Sequence, residues 1–92
     1  MDRVEIKKRL QKDLRKFPFP IIDKLEHWIK TIKKIGIMEA RKISGFHDEP
    51  LQGIRKGQRW IRLNRRYRAI YQVKDDEEGQ LIVIEEITHH EY

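Results

Sequence analysis

A helical stripe in the first half of the chain constrains the fold more than any other sequence feature. Apolar residues recur there at helical spacing, at Ile21, Leu25, Trp28, Ile29, Ile32 and Ile35. Mostly charged side chains fill the other face. This pattern predicts an amphipathic α-helix over residues 20–35 with one side against a core. Pro20 suits the first turn and Gly36 the C-terminal stop, so both ends of the helix are marked.

Shorter elements flank this helix. Alternation of apolar and charged residues predicts a strand over about residues 3–8, and a weaker helical stripe predicts a short helix up to Phe17. Residues 37–43 predict a second short helix after the long one. Residues 46–57 contain two glycines and a proline with little periodicity, so we expect a surface loop there.

The second half of the chain has the residue types of β-strands. β-branched and aromatic residues predict three strands, over residues 58–64, 67–74 and 80–88. Short polar connections separate them, which predicts an antiparallel meander. The whole order predicts one α+β domain over residues 1–92, an antiparallel sheet with helices packed on one face and the other face largely open.

Positive charge is concentrated on the predicted meander. The formal net charge is +6, and the stretch from residue 50 to residue 74 holds eight basic residues and no Asp or Glu. They are Arg55, Lys56, Arg59, Arg62, Arg65, Arg66, Arg68 and Lys74. A solvated polar face is one explanation of such a run. The predominance of arginine favours phosphate binding instead, so RNA, DNA or a very acidic protein is the expected partner.

Several classes of protein are disfavoured by composition. The chain has no cysteine, which excludes a disulfide framework and thiolate metal sites. It has no apolar run of the roughly 18 residues that span a bilayer, and its first ten residues are too charged for a signal peptide. We therefore expect a cytoplasmic protein that does not contact a membrane.

The register of the first predicted hairpin determines whether an arginine pair forms. If Arg62 lies opposite Arg68, the two guanidinium groups share one face and can clamp a phosphate. A slip of one residue would set Arg62 against Ala69. The two arginines could also serve solubility alone. Arg55 and Lys56, on the preceding loop, could reach over the same face.

The end of the chain, Thr88-His89-His90-Glu91-Tyr92, could supply acid–base chemistry. Metal-free RNA cleavage needs a base, an acid and cations around the phosphate, and histidine titrates nearest neutral pH. Adjacent strand residues project to opposite faces, so at most one of His89 and His90 faces the open side. The alternation of residues along the strand does not show which of the two histidines faces the open side. A solvated tail is the competing explanation.

A second polar cluster, His47-Asp48-Glu49, lies at the start of the predicted loop. Its spacing matches no metal motif, and we expect no metal site and no cofactor. A role in positioning the loop is expected for Asp48. His27 falls on the polar side of the long helix, where exposure is expected.

The segment Gly45-Phe46-His47-Asp48-Glu49-Pro50-Leu51-Gln52-Gly53 and the strand segments Gly57-Gln58-Arg59-Trp60-Ile61-Arg62-Leu63 and Tyr67-Arg68-Ala69-Ile70-Tyr71 resemble the RelE/ParE toxin superfamily. The likeness is greatest to the RelE, HigB and YafQ messenger-RNA interferases, and it extends over nearly the whole chain. It implies a basic groove, no metal, and cleavage of messenger RNA, usually in the ribosomal A site. It also implies a cognate antitoxin, with DNA contacted only through the antitoxin complex.

The resemblance assigns roles residue by residue. Arg55 and Lys56 match loop cations, and Arg59 and Arg62 match the arginines of the first meander strand. His89 matches a terminal histidine that follows threonine, and Tyr92 a terminal aromatic. The predicted catalytic set is therefore His89, His90, Tyr92 and Arg62. The predicted RNA-binding set is Arg55, Lys56, Arg59, Arg65, Arg66 and Arg68.

The chain departs from this pattern at two positions. His90 stands beside His89, so either imidazole could be the base. Trp60 stands where a smaller residue is expected. A ParE-like DNA gyrase inhibitor and a non-catalytic co-repressor acting with its antitoxin are the alternative functions. The tail residues His89, His90 and Tyr92 favour the ribonuclease over the gyrase inhibitor, and the co-repressor stays open as an alternative.

Overall fold

A computed structural model describes residues 2–89. In this range the strands are β1 (Arg3–Ile6), β2 (Glu49–Pro50), β3 (Gln58–Arg62), β4 (Tyr67–Asp76) and β5 (Gly79–His89). The helices are α1 (Lys8–Asp13), α2 (Phe19–Ile35) and α3 (Ile37–Ala40), and 3-10 turns lie at Leu14–Lys16, Ser44–Phe46 and Gly53–Arg55. One sheet has the order β1-β5-β4-β3-β2, with β1 parallel to β5 and all other pairs antiparallel. The predicted α+β fold and its antiparallel meander are confirmed.

Helix α2 forms as its stripe predicts. Pro20 lies in its first turn, where backbone N–H groups have no partner within the helix, so proline loses no hydrogen bond there. Gly36 ends the helix with a φ of 85°. Its buried residues are Ile21, Leu25, Trp28 and Ile32. The Trp28 ring packs on Tyr71 of β4, with centroids 4.9 Å apart. Burying each such side chain contributes roughly 1.5–3 kcal/mol, so this helix is a main source of stability.

The helices cover one face of the sheet, which we call the helix face. Alternate strand residues are fully buried on it, and they are Ile61, Ala69, Tyr71, Ile82 and Ile84. We call the opposite side the open face. It has a separate small apolar group, Trp60, Ile70 and Val83, outside the main core cluster. Polar side chains surround that group, so the open face is only partly apolar.

The sequence analysis was wrong about the loop and about the edges of the sheet. Residues 46–57 were predicted as loop, but they contain β2, because Glu49 and Pro50 pair with Trp60 and Arg59. Proline is tolerated there because β2 is an edge strand. The sheet also gains β1, which is shorter than predicted. The second short helix ends at Ala40 rather than near residue 43.

A β-bulge in β5 changes which residues share a face. Ile70 pairs with Glu86 and Tyr71 pairs with Ile84, so Glu85 has no partner on β4. The extra residue places Ile84 and Ile87 on the helix face although they are three positions apart. Strict alternation along this strand, which the sequence analysis assumed, was therefore wrong beyond Ile84.

Candidate active site

The hairpin register places two arginines side by side on the open face. Arg62 of β3 pairs directly with Arg68 of β4, and Ile61 pairs with Ala69. The slipped alternative, with Arg62 against Ala69, is excluded. Like charges directly opposite each other destabilise a sheet. The pair is therefore a position where a bound anion would relieve repulsion.

The two arginines differ in their surroundings. Arg62 is exposed, and within residues 2–89 its guanidinium makes no hydrogen bond or ion pair. Arg68 is half-buried, and its guanidinium carbon lies 3.9 Å from the centre of the Trp60 ring. Trp60 is a diagonal cross-strand neighbour of Arg68, because Trp60 itself pairs with Ile70. One arginine is thus available to a ligand while the other packs over an indole.

A histidine–carboxylate pair adjoins the arginines. Glu49 of β2 pairs with Trp60, and its Oε1 lies 3.1 Å from Nε2 of His47. The His47 ring stacks on Trp60 at 5.6 Å between centroids, with 29° between planes. Both side chains of the pair are 52% exposed. An imidazole and a carboxylate near a cation pair are groups that can transfer a proton at a phosphate.

The sequence analysis named this cluster but gave His47 and Glu49 no part in acid–base chemistry, because it placed them on an irregular loop. His47 and Glu49 are only two positions apart in the sequence, and that closeness could have linked them. His47 has a φ of 51°, in the left-handed region that disfavours a side chain. The backbone there must therefore be held by other contacts.

Asp48 supplies those contacts. Its carboxylate is fully shielded from solvent and accepts hydrogen bonds from Nε of Arg59 at 2.6 Å and from the hydroxyl of Tyr71. Tyr71 in turn accepts one from Nε of Arg41 at 3.3 Å. Asp48 thus fastens the loop to β3 and β4, as expected for a loop-positioning residue.

These contacts change the acid–base properties of the groups involved. Burial raises the pKa of the Tyr71 hydroxyl, and its bond to Asp48 raises it further. For Arg59, burial lowers the pKa, but the bond to Asp48 and the charge of that carboxylate outweigh burial and raise it. Arg59, which the sequence assigns to RNA binding, is thus ion-paired inside the protein.

The other predicted RNA-binding cations fall into two groups. Arg55 reaches over the open face, where its Nη2 lies 2.9 Å from Oε1 of Glu86 on β5. Lys56, Arg65 and Arg66 are exposed. The turn that carries Arg65 and Arg66 is fixed by Asn64, whose Oδ1 accepts bonds from the backbone N–H groups of Arg66 and Tyr67.

His89 lies on the other side of the sheet from the arginine pair. It pairs with Tyr67, and the two rings are 5.1 Å apart. The Tyr67 ring meets Phe17 edge-on at 5.8 Å, which places it on the helix face. His89 is exposed at the end of β5. His90 and Tyr92, the other two tail residues proposed for catalysis, lie outside the described residues.

Beside the open face, a groove of about 350 Å³ lies between α1 and the end of β5. Glu85, the bulge residue, is one of its walls and is held by Lys7 Nζ at 2.8 Å and by Gln58 Nε2 at 3.1 Å. Burial raises the pKa of Glu85, but these two bonds and the Lys7 charge outweigh burial and lower it. The bulge therefore fixes the N-terminal segment to the sheet.

No cluster of three or more His, Cys, Asp or Glu side chains within residues 2–89 could hold a metal ion. None of the helices there has the length and apolar character needed to cross a membrane.

The similarity of this chain to known proteins is one of structure rather than of sequence. Neither the protein-family models nor the curated protein sequences give a match. Among solved structures, a YoeB/ParE toxin from Agrobacterium tumefaciens is similar with a TM-score of 0.72 and 16% identity, over 97% of this chain and 99% of that one. YafQ from E. coli is similar with a TM-score of 0.70 and 19% identity, over 97% and 93%.

A third structure extends the comparison to archaea. The RelE–RelB complex from Pyrococcus horikoshii OT3 contains a chain similar to this one with a TM-score of 0.70 and 23% identity, over 95% of this chain and 92% of that one. Each similarity covers nearly the full length of both chains at low identity. The chain therefore has the fold of the RelE/ParE-superfamily toxins.

Proposed function

We propose that this protein is the toxin of a toxin–antitoxin pair and a metal-independent endoribonuclease that cleaves messenger RNA at the ribosome. The observation that carries the proposal is the Arg62–Arg68 pair on the open face, beside the His47–Glu49 pair. Cations and a proton-transfer group on one accessible surface are what phosphodiester cleavage requires. The shared toxin fold supports the same conclusion.

In the proposed reaction the 2′-hydroxyl oxygen of the RNA attacks the adjacent phosphorus atom. A base takes the hydroxyl proton, and an acid gives a proton to the 5′-oxygen as its bond to phosphorus breaks, leaving a cyclic phosphate. Arg62 and Arg68 hold the phosphate oxygens and stabilise their growing negative charge. Lys56, Arg65 and Arg66 contact neighbouring phosphates. Arg55 and Arg59 contribute less because Glu86 and Asp48 already neutralise them.

Two sources of proton transfer enter the proposal. His47, oriented by Glu49, stands on the same face as the arginines and is the proposed base. The tail residues His89, His90 and Tyr92 are the proposed source of the acid. His89 approaches from the end of β5 on the helix face, so it would act at the rim of the site.

An antitoxin partner belongs to the proposal. The structures similar to this chain include the RelE–RelB complex and a heterotetrameric YoeB–YefM complex from Staphylococcus aureus. The exposed cations of the open face favour an acidic antitoxin segment that covers them. Co-expression with the neighbouring gene should yield a complex that survives moderate salt.

Arg62→Ala tests the proposed site most directly. Single-turnover cleavage of messenger RNA on purified ribosomes should fall by roughly 100- to 1,000-fold, since Arg62 would act in the transition state. Lys74→Ala is the matched control, because Lys74, on the neighbouring strand β4, is an exposed cation like Arg62. Activity of the parent in EDTA is expected. A parent that inhibits DNA gyrase and leaves RNA intact would refute the proposal.

Histidine variants separate the two sources of proton transfer. His47→Ala should lower the cleavage rate by roughly 100- to 10,000-fold, the usual value of a positioned base. His89→Ala and a chain ending at Thr88 should show a comparable loss if the tail supplies the acid. Full activity after removal of the tail would assign all proton transfer to the open face.

A further inference from the structure

Trp60 joins the two halves of the proposed site. Its indole touches the Arg68 guanidinium, 3.9 Å from the ring centre, and also the His47 imidazole, at 5.6 Å between centroids. Its backbone pairs with Glu49 on one side and Ile70 on the other. A single residue thus contacts the proposed phosphate-binding cation and the proposed base through its side chain, and the strand that orients that base through its backbone.

The burial of Trp60 distinguishes it from a platform for nucleobases. Only 9% of its surface is exposed, although it lies on the open face outside the main core. An indole that stacks on a base needs a free ring face, whereas this one is covered by its neighbours. Its contacts are therefore internal, and they order the charged groups above it.

Both neighbours depend on such support. Arg68 stands opposite a second arginine, and repulsion would drive the two flexible side chains apart. A cation over an indole is held by the ring quadrupole, most strongly for tryptophan among the aromatic residues. His47 has a strained backbone and a half-exposed ring. Its Nε2 is paired with Glu49, and stacking on Trp60 restricts the direction in which the other ring nitrogen, Nδ1, can point.

We propose that Trp60 is a positioning residue that orients Arg68 and His47 together, so that phosphate binding and proton transfer share one geometry. This inference rests on the proposed function, because it gives Trp60 a part in that reaction. The binding of a phosphate at Arg68 and the orientation of His47 are therefore coupled, because both side chains pack on the same indole.

Substitutions of Trp60 should separate binding from rate. Trp60→Leu should weaken binding of an RNA with a 2′-deoxy residue at the cleavage position by about fivefold through Arg68. It should lower single-turnover cleavage by about 10- to 100-fold through His47. Trp60→Phe keeps an aromatic face and should stay within about threefold of the parent in both. Val83→Ala, another buried apolar change on the open face, is the control for lost stability.

Double variants test whether Trp60 acts through these two neighbours. In an Arg68→Ala background, Trp60→Leu should cause no further loss of RNA binding, and in a His47→Ala background it should cause a smaller loss of rate than in the parent, because only the effect through Arg68 remains. Fully additive effects would overturn the inference. So would a Val83→Ala variant that loses as much activity as Trp60→Leu.

An NMR measurement keeps the inference distinct from the proposed function. In the parent, the ring protons of His47 should show a ring-current shift that Trp60→Leu abolishes and Trp60→Phe partly retains. Adding the 2′-deoxy-substituted RNA should perturb those signals in the parent but not in Trp60→Leu. If the parent cleaves no RNA, the proposed function fails while these signals still test the positioning. Unchanged His47 signals in Trp60→Leu would refute it even in an active enzyme.

Discussion

The two faces of the sheet differ in packing and in charge, although residues of both alternate along the same strands. On β4, Ala69 and Tyr71 are fully buried against the helices, while their neighbours Arg68 and Ile70 belong to the open face. The helix face is closely packed and apolar. The open face opposes two arginines and holds a histidine at a strained φ. One face therefore stabilises the fold, and the other keeps a strained backbone at His47 and an arginine pair whose repulsion a bound anion would relieve.

The largest expected difference between the faces is in core substitutions. Ile61→Ala should lower the free energy of unfolding toward the upper part of a roughly 2–5 kcal/mol range, because the helices above it cannot close the cavity. Ile70→Ala, at 5% exposure on the open face, should cost less since its polar neighbours can move. Urea denaturation of both variants measures this. Equal losses would mean that the two faces are packed alike.

Asp48 and Glu49 sharpen the comparison because they are adjacent in sequence, but the Asp48 carboxylate is buried and the Glu49 carboxylate is half-exposed. Asp48→Asn leaves Arg59, a quarter exposed, without a counter-charge, and should cost roughly 3 kcal/mol. Glu49→Gln changes a half-exposed carboxylate and should alter stability by less than about 1 kcal/mol. Thermal and urea unfolding provide the values. A stability loss in Glu49→Gln as large as that in Asp48→Asn would contradict the assignment of roles.

Glu86 tests whether the open face is partly neutralised by its own carboxylate. Glu86→Gln releases Arg55 and should tighten RNA binding by about two- to fivefold at low salt, with the gain lost as salt rises. Glu77→Gln makes the same change of charge in the exposed β4–β5 turn and should have a smaller effect. Fluorescence anisotropy with a labelled RNA distinguishes them. Weaker binding by Glu86→Gln would show instead that the Arg55–Glu86 contact closes the loop in a form that RNA needs.

The smallest predicted effect is a pH dependence of stability at the β1 side of the sheet. Hydrogen bonding to Arg3 lowers the pKa of Asp76, and the pKa of Glu85 is lowered as described above. The unfolded chain then binds these protons more readily than the folded chain. Their stabilisation is complete above the unfolded pKa values, near 4, and is lost as pH falls through the lower folded values.

Glu85→Gln should make unfolding in urea less sensitive to pH between about 5 and 3, since one of the two groups no longer titrates. Glu77→Gln, in the exposed turn, is expected to retain the parent's dependence. A Glu85→Gln variant with an unchanged pH profile would exclude Glu85 as a contributor.

The arginine pair shows how far local pattern extends toward the site. The predicted strand boundaries left two registers for the β3–β4 hairpin, and one of them places Arg62 opposite Arg68. The structure has that register. The short turn after β3 allows only neighbouring registers, so the sequence alone nearly predicted this pair. The assignment of Arg59 to RNA was reasonable from charge alone. Its partner, Asp48, lies eleven positions earlier and is brought to it only by the pairing of β2 with β3.

The sequence by itself determined α2, the three meander strands, the basic open face and the helix-covered core, because helix and strand periodicities are carried by neighbouring residues. Tertiary structure alone decided the parallel pairing of β1 with β5, the bulge at Glu85 and the stacking of His47 on Trp60. It also put His89 on the helix face. Each of these depends on contacts between segments distant in sequence, and the shift of one residue at a bulge reverses the face of everything after it.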